Sequence, residues 1–258
     1  MRILVTGKKG YVGSSIINKL KAYNYDVIGV GRDDFDLTDR KSTNTYFKDK
    51  HFDVIIHTAI YGGSRLVHDG NDVLANNLKM FYNLIANVHK FKQLISFGSG
   101  AELNLPSDSY GLSKSIIADT ISSHSKLNNI RIFGIFDENE LDTRFIKTCL
   151  KHYKDRKPIV IHQNKLFDFI YMDDLVTIIN FIILNPSIKS IDCCYEESYS
   201  LKEIAEYINT RNNHYCEIKI KDKTHGSPYI GRFKNYNLDL IGLKQGINNI
   251  YNIENEIN

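Results

Sequence analysis

Short, largely apolar runs alternate with longer amphipathic stretches through the first half of the chain. Ile3–Val5, Val27–Val30, Val54–His57 and Leu94–Phe97 have the apolar character of strands buried on both faces of a parallel sheet. Tyr11–Tyr23, Thr38–Asp49 and Asp72–Lys90 lie between them with apolar residues near helical spacing. In the last of these, Val73, Leu74, Leu78, Phe81, Leu84, Ile85 and Val88 fall on one side. A helix over Tyr110–Lys126 and a strand over Ile130–Phe133 extend the series. Strand–helix–strand repeats with right-handed crossovers wind a sheet in both directions. The expected fold class is therefore α/β, with a Rossmann-type doubly wound parallel sheet.

After Gly134 the rhythm loosens. The pattern predicts a helix near Leu141–His152, a strand at Pro158–His162, and a strand running into a helix over Phe167–Leu184. Ser200 and Glu203 form a capping-box pattern that opens a helix over Leu201–Ile208. Cys216–Ile220 reads as a strand, and the Asn- and Gly-rich tail as short helices. The organisation expected is a nucleotide-binding core over 1–134, to which 163–192 returns, and a small α/β C-terminal substrate lobe from 135–162 and 193–258.

Composition narrows the class. With 258 residues, 42% hydrophobic and 24% charged, the chain has enough apolar surface for a sizeable core and is not a disordered one. A net charge of +3 argues against a nucleic-acid partner. The short apolar run Met1–Thr6, which stops at Gly7, is too short for a signal peptide, and Leu175–Leu184 is too short for a membrane span. Cys149, Cys193, Cys194 and Cys216 show no C-x-x-C spacing, so no metal site is expected and free thiols in a reducing cytoplasm are. His57, at a strand end, reads as a structural hydrogen-bonding histidine. Asp173 and Asp174 read as charges that open a helix.

Between the first strand and first helix lies Thr6-Gly7-Lys8-Lys9-Gly10-Tyr11-Val12-Gly13. Gly7 permits a tight turn, Gly10 lets backbone approach a pyrophosphate, and Gly13 lets helix and strand pack closely, with the helix N-terminus facing the phosphates. In that context the pattern predicts dinucleotide binding. An acidic residue at the end of the second strand would accept from an NAD ribose. Here that position is Gly31, followed by Arg32, whose guanidinium suits a 2′-phosphate. Lys8 and Lys9 add positive charge nearby. NADP(H) is thus preferred, while Asp33 and Asp34 leave NAD(H) possible and Arg32 as a solvated loop charge is the plainer alternative.

Tyr110-Gly-Leu-Ser-Lys114 places a phenol and an ammonium one helical turn apart. The ammonium favours phenolate, which makes Tyr110 a usable general acid near neutral pH, and Lys114 also suits a nicotinamide ribose. Ser99, just past the strand Leu94–Phe97, lies where open α/β sheets bind ligands and suits a substrate carbonyl.

Met1-Arg-Ile-Leu-Val-Thr-Gly7, Asp53-Val-Ile-Ile-His-Thr-Ala59, Ser99, Tyr110 with Lys114, and Asp168-Phe-Ile-Tyr-Met-Asp-Asp-Leu175 span nearly the whole chain. Together they resemble an extended short-chain dehydrogenase/reductase of the nucleotide-sugar epimerase/dehydratase/reductase group. The resemblance implies hydride transfer between a nicotinamide and a sugar carbon, with Tyr110 moving the proton and Ser99 polarising the carbonyl. It also implies Asp36 and Leu37 at the adenine, Ala59 at the dinucleotide and Phe133 near the nicotinamide. A homodimer through the helices near Asp72–Lys90 and Tyr110–Lys126 follows from the same resemblance.

Departures from the family pattern narrow the chemistry. Its sugar dehydratases carry Asp-Glu directly after the Ser/Thr, whereas Gly100 and Ala101 follow Ser99 and Glu102 comes one place late. The 3,5-epimerase/reductases similar to GDP-fucose synthase use a Cys and a His where Ala101 and the segment Asp137–Arg144 stand. A family arginine is replaced by Phe167 and an asparagine by Gly134, leaving Arg144 and Arg232 as candidates for the substrate diphosphate or as solvated cations. The loop from Ser99 to Tyr110 is short for the family. The function expected is NADPH-dependent reduction of a nucleotide-activated 4-keto-6-deoxy sugar, for surface polysaccharide. The alternatives are an NAD-dependent 4-epimerase and a non-catalytic NADP-binding regulatory protein, the last having no need of Ser99, Tyr110 and Lys114.

Overall fold

In a computed structural model of the chain, which describes residues 1–62, 70, 72–103, 108–211 and 214–256, the apolar runs become strands. β1 (Arg2–Thr6) is buried after Arg2. It lies between β2 (Asp26–Val30) and β3 (Phe52–His57), parallel to both, with Val5 beside Gly29 on one flank and Ile56 on the other. β4 (Phe91–Ser99) pairs in parallel with β3. β5 (Leu127–Ile132) and, much later, β9 (Ser190–Cys193) complete six strands in the order β2-β1-β3-β4-β5-β9. After β2 the chain crosses to the other side of β1, so the carboxyl ends of β1 and β3 flank the switch point where such sheets bind ligands.

The connections are α1 (Tyr11–Leu20), α2 (Arg40–Phe47), α3 (Asp72–Ile85) and α4 (Ser109–Ser122). One face of the sheet shares with α2, α3 and α4 a core that includes Leu4, Ile55, Phe81, Leu84 and Leu94, all fully buried. Burial of this kind, at about 25 cal/mol per Å² of apolar surface, outweighs weak local propensity. Local chemistry still sets the ends. α3 stops at Ile85 and a 3-10 turn covers Val88–Lys90, where the pattern predicts helix throughout. Asn87 leaves helical geometry, with φ −104°, and its buried amide donates to Asn44 Oδ1 (2.9 Å) and Asn83 O (3.0 Å). α4 opens on Asp108, which accepts from Gly111 N at 2.6 Å, and ends well before Lys126. That lysine instead donates to the carbonyls of Val88 and Phe91, and β5 starts at Leu127 rather than Ile130. The loop from Ser99 to Tyr110 includes residues 104–107, which lie outside the described ones.

Contacts divide the chain into Met1–Arg131 with Ile178–Ile191, and Ile132–Thr177 with Asp192–Asn258. Residues 163–177, expected with the nucleotide-binding core, are thus in the second unit. That unit holds two parallel strand pairs, β6 (Ile135–Phe136) with β8 (Ile170–Tyr171) and β7 (Ile159–Gln163) with β10 (Ile218–Asp222). Around them lie α5 (Phe145–Lys154), α7 (Leu201–Ile208) and α8 (Leu243–Glu256), and α6 (Met172–Leu184) begins here. Tyr153, Phe136, Ile146, Ile208 and Ile247 form the centre of its core. α8 is one continuous helix of 14 residues, not several short ones. β10 begins at Ile218 because Cys216 is already committed: its amide donates to Asn209 Oδ1 (2.9 Å) and its carbonyl accepts from Asn209 Nδ2 (3.0 Å).

Asp174, in the first turn of α6, accepts from Tyr195 Oη (2.5 Å), Ile241 N (2.7 Å) and Gly242 N (2.9 Å), so it anchors the approach to α8. Among the described residues no group of His, Cys, Asp and Glu is arranged to hold a metal ion, and no helix is long and apolar enough to cross a membrane. All four cysteines are free and buried, and burial pushes each thiol up, Cys194 to about 12.

Glu140 is a costly polar group of the second unit. It is 5% exposed, and its Oε2 is buried without a hydrogen-bond partner among the described residues. Burial lifts its carboxyl from the ordinary 4.5 to about 8, against the pull of the nearby Arg144. The folded state therefore holds a proton that the unfolded chain has lost. The associated stability is full below the unfolded value and drains away as pH rises toward 8. Glu140→Gln, neutral at every pH, is expected to raise the melting temperature at about pH 8.5 and to leave it nearly unchanged at about pH 4.5. Calorimetry that found the same shift at both would show that the carboxyl is not held protonated.

Candidate active site

Gly7 ends β1 with φ +79°, a conformation that favours glycine, and a Cβ there would lie 2.9 Å from Ala59 N and from Thr58 Oγ1. Gly13 is tighter still: its Cβ would meet Gly7 O at 2.3 Å and Thr58 Oγ1 at 2.7 Å. Thr58 is fixed by donating to Thr6 O at 2.6 Å. Gly10 is bare for another reason. Only Gly7 O, at 3.3 Å, comes near its Cβ position, and it lines a cavity of about 290 Å³. As the residue before α1 it offers no side-chain cap, and the first turn of α1 holds no acidic residue. The turn of Tyr11, Val12 and Gly13 thus has the amides and dipole end that an anion uses.

Gly7, Lys9, Gly10, Arg32, Asp36, Leu37 and Ala59 line this one cavity, so the structure brings together these predicted cofactor residues. Phe35, Ile60 and Met80 add apolar wall, and Phe35 is braced by stacking on Tyr46 at 4.1 Å between centroids. Tyr11, Val12 and Gly13 lie beside the cavity in α1 and outside its lining. Phe133 belongs to the second unit, where its ring meets Tyr229 edge-on at 5.5 Å.

The charges at the rim are sorted by pairing. Lys8 Nζ contacts Asp34 at 2.6 Å and Asp33 at 3.0 Å, and Lys9 reaches Asp33 at 3.4 Å. Asp34 also accepts the Gly31 amide at 2.8 Å. Hydrogen bonds from Lys8 hold both carboxyls below their usual range. Lys8 therefore adds no net positive charge here, contrary to expectation. Arg32 instead lies over the Tyr61 ring, 5.5 Å from its centroid. Tyr61 is clamped by Asn77, which accepts from its amide (2.9 Å) and donates to its carbonyl (3.0 Å). An uncapped helix start, bare backbone at Gly10, an apolar slot and a guanidinium at its rim fit a dinucleotide that carries a 2′-phosphate.

Ser99, Tyr110 and Lys114 lie in the same unit, at the carboxyl end of β4 and the start of α4. Lys114 is buried, donates to Phe97 O at 2.5 Å, and sits 5.8 Å from the centre of the Tyr110 ring. Desolvation lowers its ammonium to about 8, against the attraction of Glu102. Ser99 Oγ accepts from Ala101 N at 3.2 Å and caps the turn Gly100–Glu102. His57 is buried against Thr6 Oγ1 (2.9 Å) and driven down to about 3 by desolvation, which is the chemistry of a structural histidine.

In the second unit, Arg144 and Arg232 are both exposed. Arg144 precedes α5 without a side-chain capping bond, and the Arg232 amide donates to Asp192 at 2.8 Å. Phe167 is core, stacked on Phe169 at 4.6 Å and tilted on Tyr229 at 5.0 Å. Gly134 accommodates the same cluster, since a Cβ there would meet Phe169 Cδ1 at 2.5 Å. Sequence reading missed Tyr61, Asn77 and Arg131. Each acts on a partner far along the chain, and no local pattern marks it.

A model of the NAD dependent epimerase/dehydratase family matches residues 3–192. Over 121 residues the chain is 32% identical to GDP-L-colitose synthase of Yersinia pseudotuberculosis, a stretch covering 45% of this chain and 39% of that protein. The fold is similar to that of GDP-mannoheptose C4 reductase of Campylobacter jejuni with NADP bound (18% identity, 98% of each chain, TM-score 0.80). It is also similar to a GDP-D-glycero-L-gluco-heptose synthase of the same organism (18% identity, 98% of each chain, TM-score 0.79).

Gly13→Ala places a methyl group against backbone that is held from both sides. It is expected to lower the melting temperature and to weaken dinucleotide binding roughly tenfold or more. Thermal melts and fluorescence titration with NADPH read both effects; wild-type affinity would mean that the turn is free to yield.

Proposed function

The chain belongs to the NAD-dependent epimerase/dehydratase family, and we propose that it reduces the keto group of a nucleotide-activated 4-keto-6-deoxy sugar with dissociable NADPH. Lys114, buried beside Tyr110 at the end of β4, carries this reading, because a merely structural lysine has no reason to be desolvated next to a phenol. Gly7, Gly10 and the first turn of α1 would hold the cofactor diphosphate, Asp36 and Leu37 the adenine, Ala59 the dinucleotide and Arg32 the 2′-phosphate. When bound, NADPH supplies the hydride.

The rest is done by the chain's own groups. Ser99 Oγ, with a lone pair engaged by the Ala101 amide, donates to the substrate carbonyl oxygen and holds it. As that oxygen gains charge, Tyr110 gives it a proton, and the Lys114 ammonium stabilises the phenolate left behind. Glu102 is bonded to Asn129 and Arg131 and so is not free to remove water, which favours reduction over elimination. Arg144 and Arg232, exposed in the second unit, are candidates for binding the substrate diphosphate. A cytoplasmic enzyme serving surface polysaccharide belongs to the same reading. So does a homodimer through α3 and α4, whose outer faces leave Tyr82 and Leu112 exposed.

Incubation with NADPH and a panel of GDP-, CDP-, dTDP- and UDP-4-keto-6-deoxy sugars is expected to show oxidation at 340 nm with at least one of them. Tyr110→Phe should lower kcat about a hundredfold or more while NADPH binding changes less than about twofold. Tightly held NAD in the purified protein and no oxidation would point instead to a 4-epimerase, and NADPH binding without turnover to a regulatory role. Arg32→Ala should weaken NADPH roughly tenfold and leave NADH unchanged; equal affinities for NADPH in variant and wild type would remove Arg32 from the site.

A further inference from the structure

Past the end of β4 the chain makes one tight turn, and the carboxylate that closes it folds back under the strand. Glu102 Oε2 accepts the Ser99 amide at 3.3 Å. Its Oε1 accepts from Asn129 Nδ2 at 2.9 Å and from Arg131 Nε at 2.5 Å, both on β5. The Glu102 side chain is 2% exposed and that of Arg131 16%. Gly98 makes the room, since a Cβ there would fall 2.6 Å from Glu102 Oε2. A buried ion pair is a weak stabiliser, because desolvation offsets most of its attraction. A pair placed this deeply, beneath a glycine, points to something other than stability.

We infer that Glu102 is a positioning residue, which through the Ser99 amide and the capped turn fixes the direction in which the Ser99 hydroxyl is presented. The inference rests on the role proposed above for Ser99 and assigns its support. The family resemblance sets a dehydrating acid one place earlier in the chain. Here the carboxylate has moved out of reaching position and become the foundation of the turn.

Lys114 gives the arrangement a second consequence. Its ammonium is desolvated, and Glu102 is the charge that helps to keep it protonated. The other groups around it are the Phe97 carbonyl on β4, the Tyr110 ring on α4 and, on β3, His57, which burial keeps neutral. Arg131 on β5 is matched to Glu102. Without the Glu102 charge, Lys114 loses its proton at lower pH.

Two measurements test this. In the protein without substrate, amide hydrogen exchange over 98–102 is compared between wild type and Glu102→Ala/Arg131→Leu, which removes the whole pair and leaves no buried cation. Exchange at Ser99 is expected to quicken about tenfold or more; unchanged exchange overturns the inference. With a keto sugar that wild type reduces, Glu102→Gln is expected to lower kcat roughly tenfold or more, with the NADPH dissociation constant unchanged. The alkaline limb of its kcat profile should move to lower pH. Glu102→Asp, which keeps the charge but shortens the reach, should retain the limb and still lose kcat. Wild-type kcat and limb in a folded Glu102→Gln also overturn it. If wild type itself reduces no keto sugar, the proposed activity fails, and the exchange comparison still decides the place of Glu102.

Discussion

The carbonyl oxygen of Gly7 lies 2.3 Å from the point where a side chain on Gly13 would begin, and the ligand-facing end of the first unit is organised by that closeness. Because α1 is pressed onto the turn, Thr58 on the far side can fasten to Thr6 O, and the Ala59 amide to Thr6 Oγ1 at 3.2 Å. The carboxyl ends of β1 and β3 are thereby joined, with the His57 ring bonded to Thr6 Oγ1 as a further link. What remains open is a slot with backbone at its base, apolar walls and charge at its edge. A wider turn would spoil the slot in two ways, by lifting the helix amides away and by freeing Thr58.

A different constraint governs the second unit. Phe167 is 3% exposed, and an arginine in its place would bury a guanidinium among the rings of Phe169 and Tyr229. Phe169 fills the space over Gly134, so the two departures from the family pattern form a single packing change. Lys165 adds its ammonium over the Phe167 and Tyr229 rings at 5.4 and 5.8 Å. Position 167 is part of the core.

The first unit's order of strands and helices was legible because burial on both faces writes continuous apolar runs, and Ile3–Val5 or Val54–His57 carry that signal without help. The glycines could be assigned distinct tasks because each task excludes a Cβ for its own steric reason. Element ends were less legible. Asn87, bonded to Asn44 and Asn83, sits where α3 gives way to a 3-10 turn, and Lys126, past the end of α4, bonds to Val88 and Phe91; no periodicity records such side-chain bonds. The two-residue strands β6 and β8 are shorter than any alternation needs to show itself. At the site, Ser99, Tyr110 and Lys114 stood out by type and spacing. Their surroundings did not: Glu102 meets Arg131 on β5, and at the cavity beside Gly10 Arg32 lies over Tyr61. Lys8 misled, because its charge was visible in the sequence and its pairing with Asp33 and Asp34 was not.

The four cysteines acquire a practical meaning from their surroundings. Thiolates, not thiols, react with maleimides and with mild oxidants, and desolvation holds every thiol here in its unreactive form. None is at the surface. Burial thus disfavours the thiolate at all four native positions, and a cysteine introduced at an exposed position, such as beside Arg144 or on the outer face of α4, would be a preferred attachment point for a fluorophore or spin label.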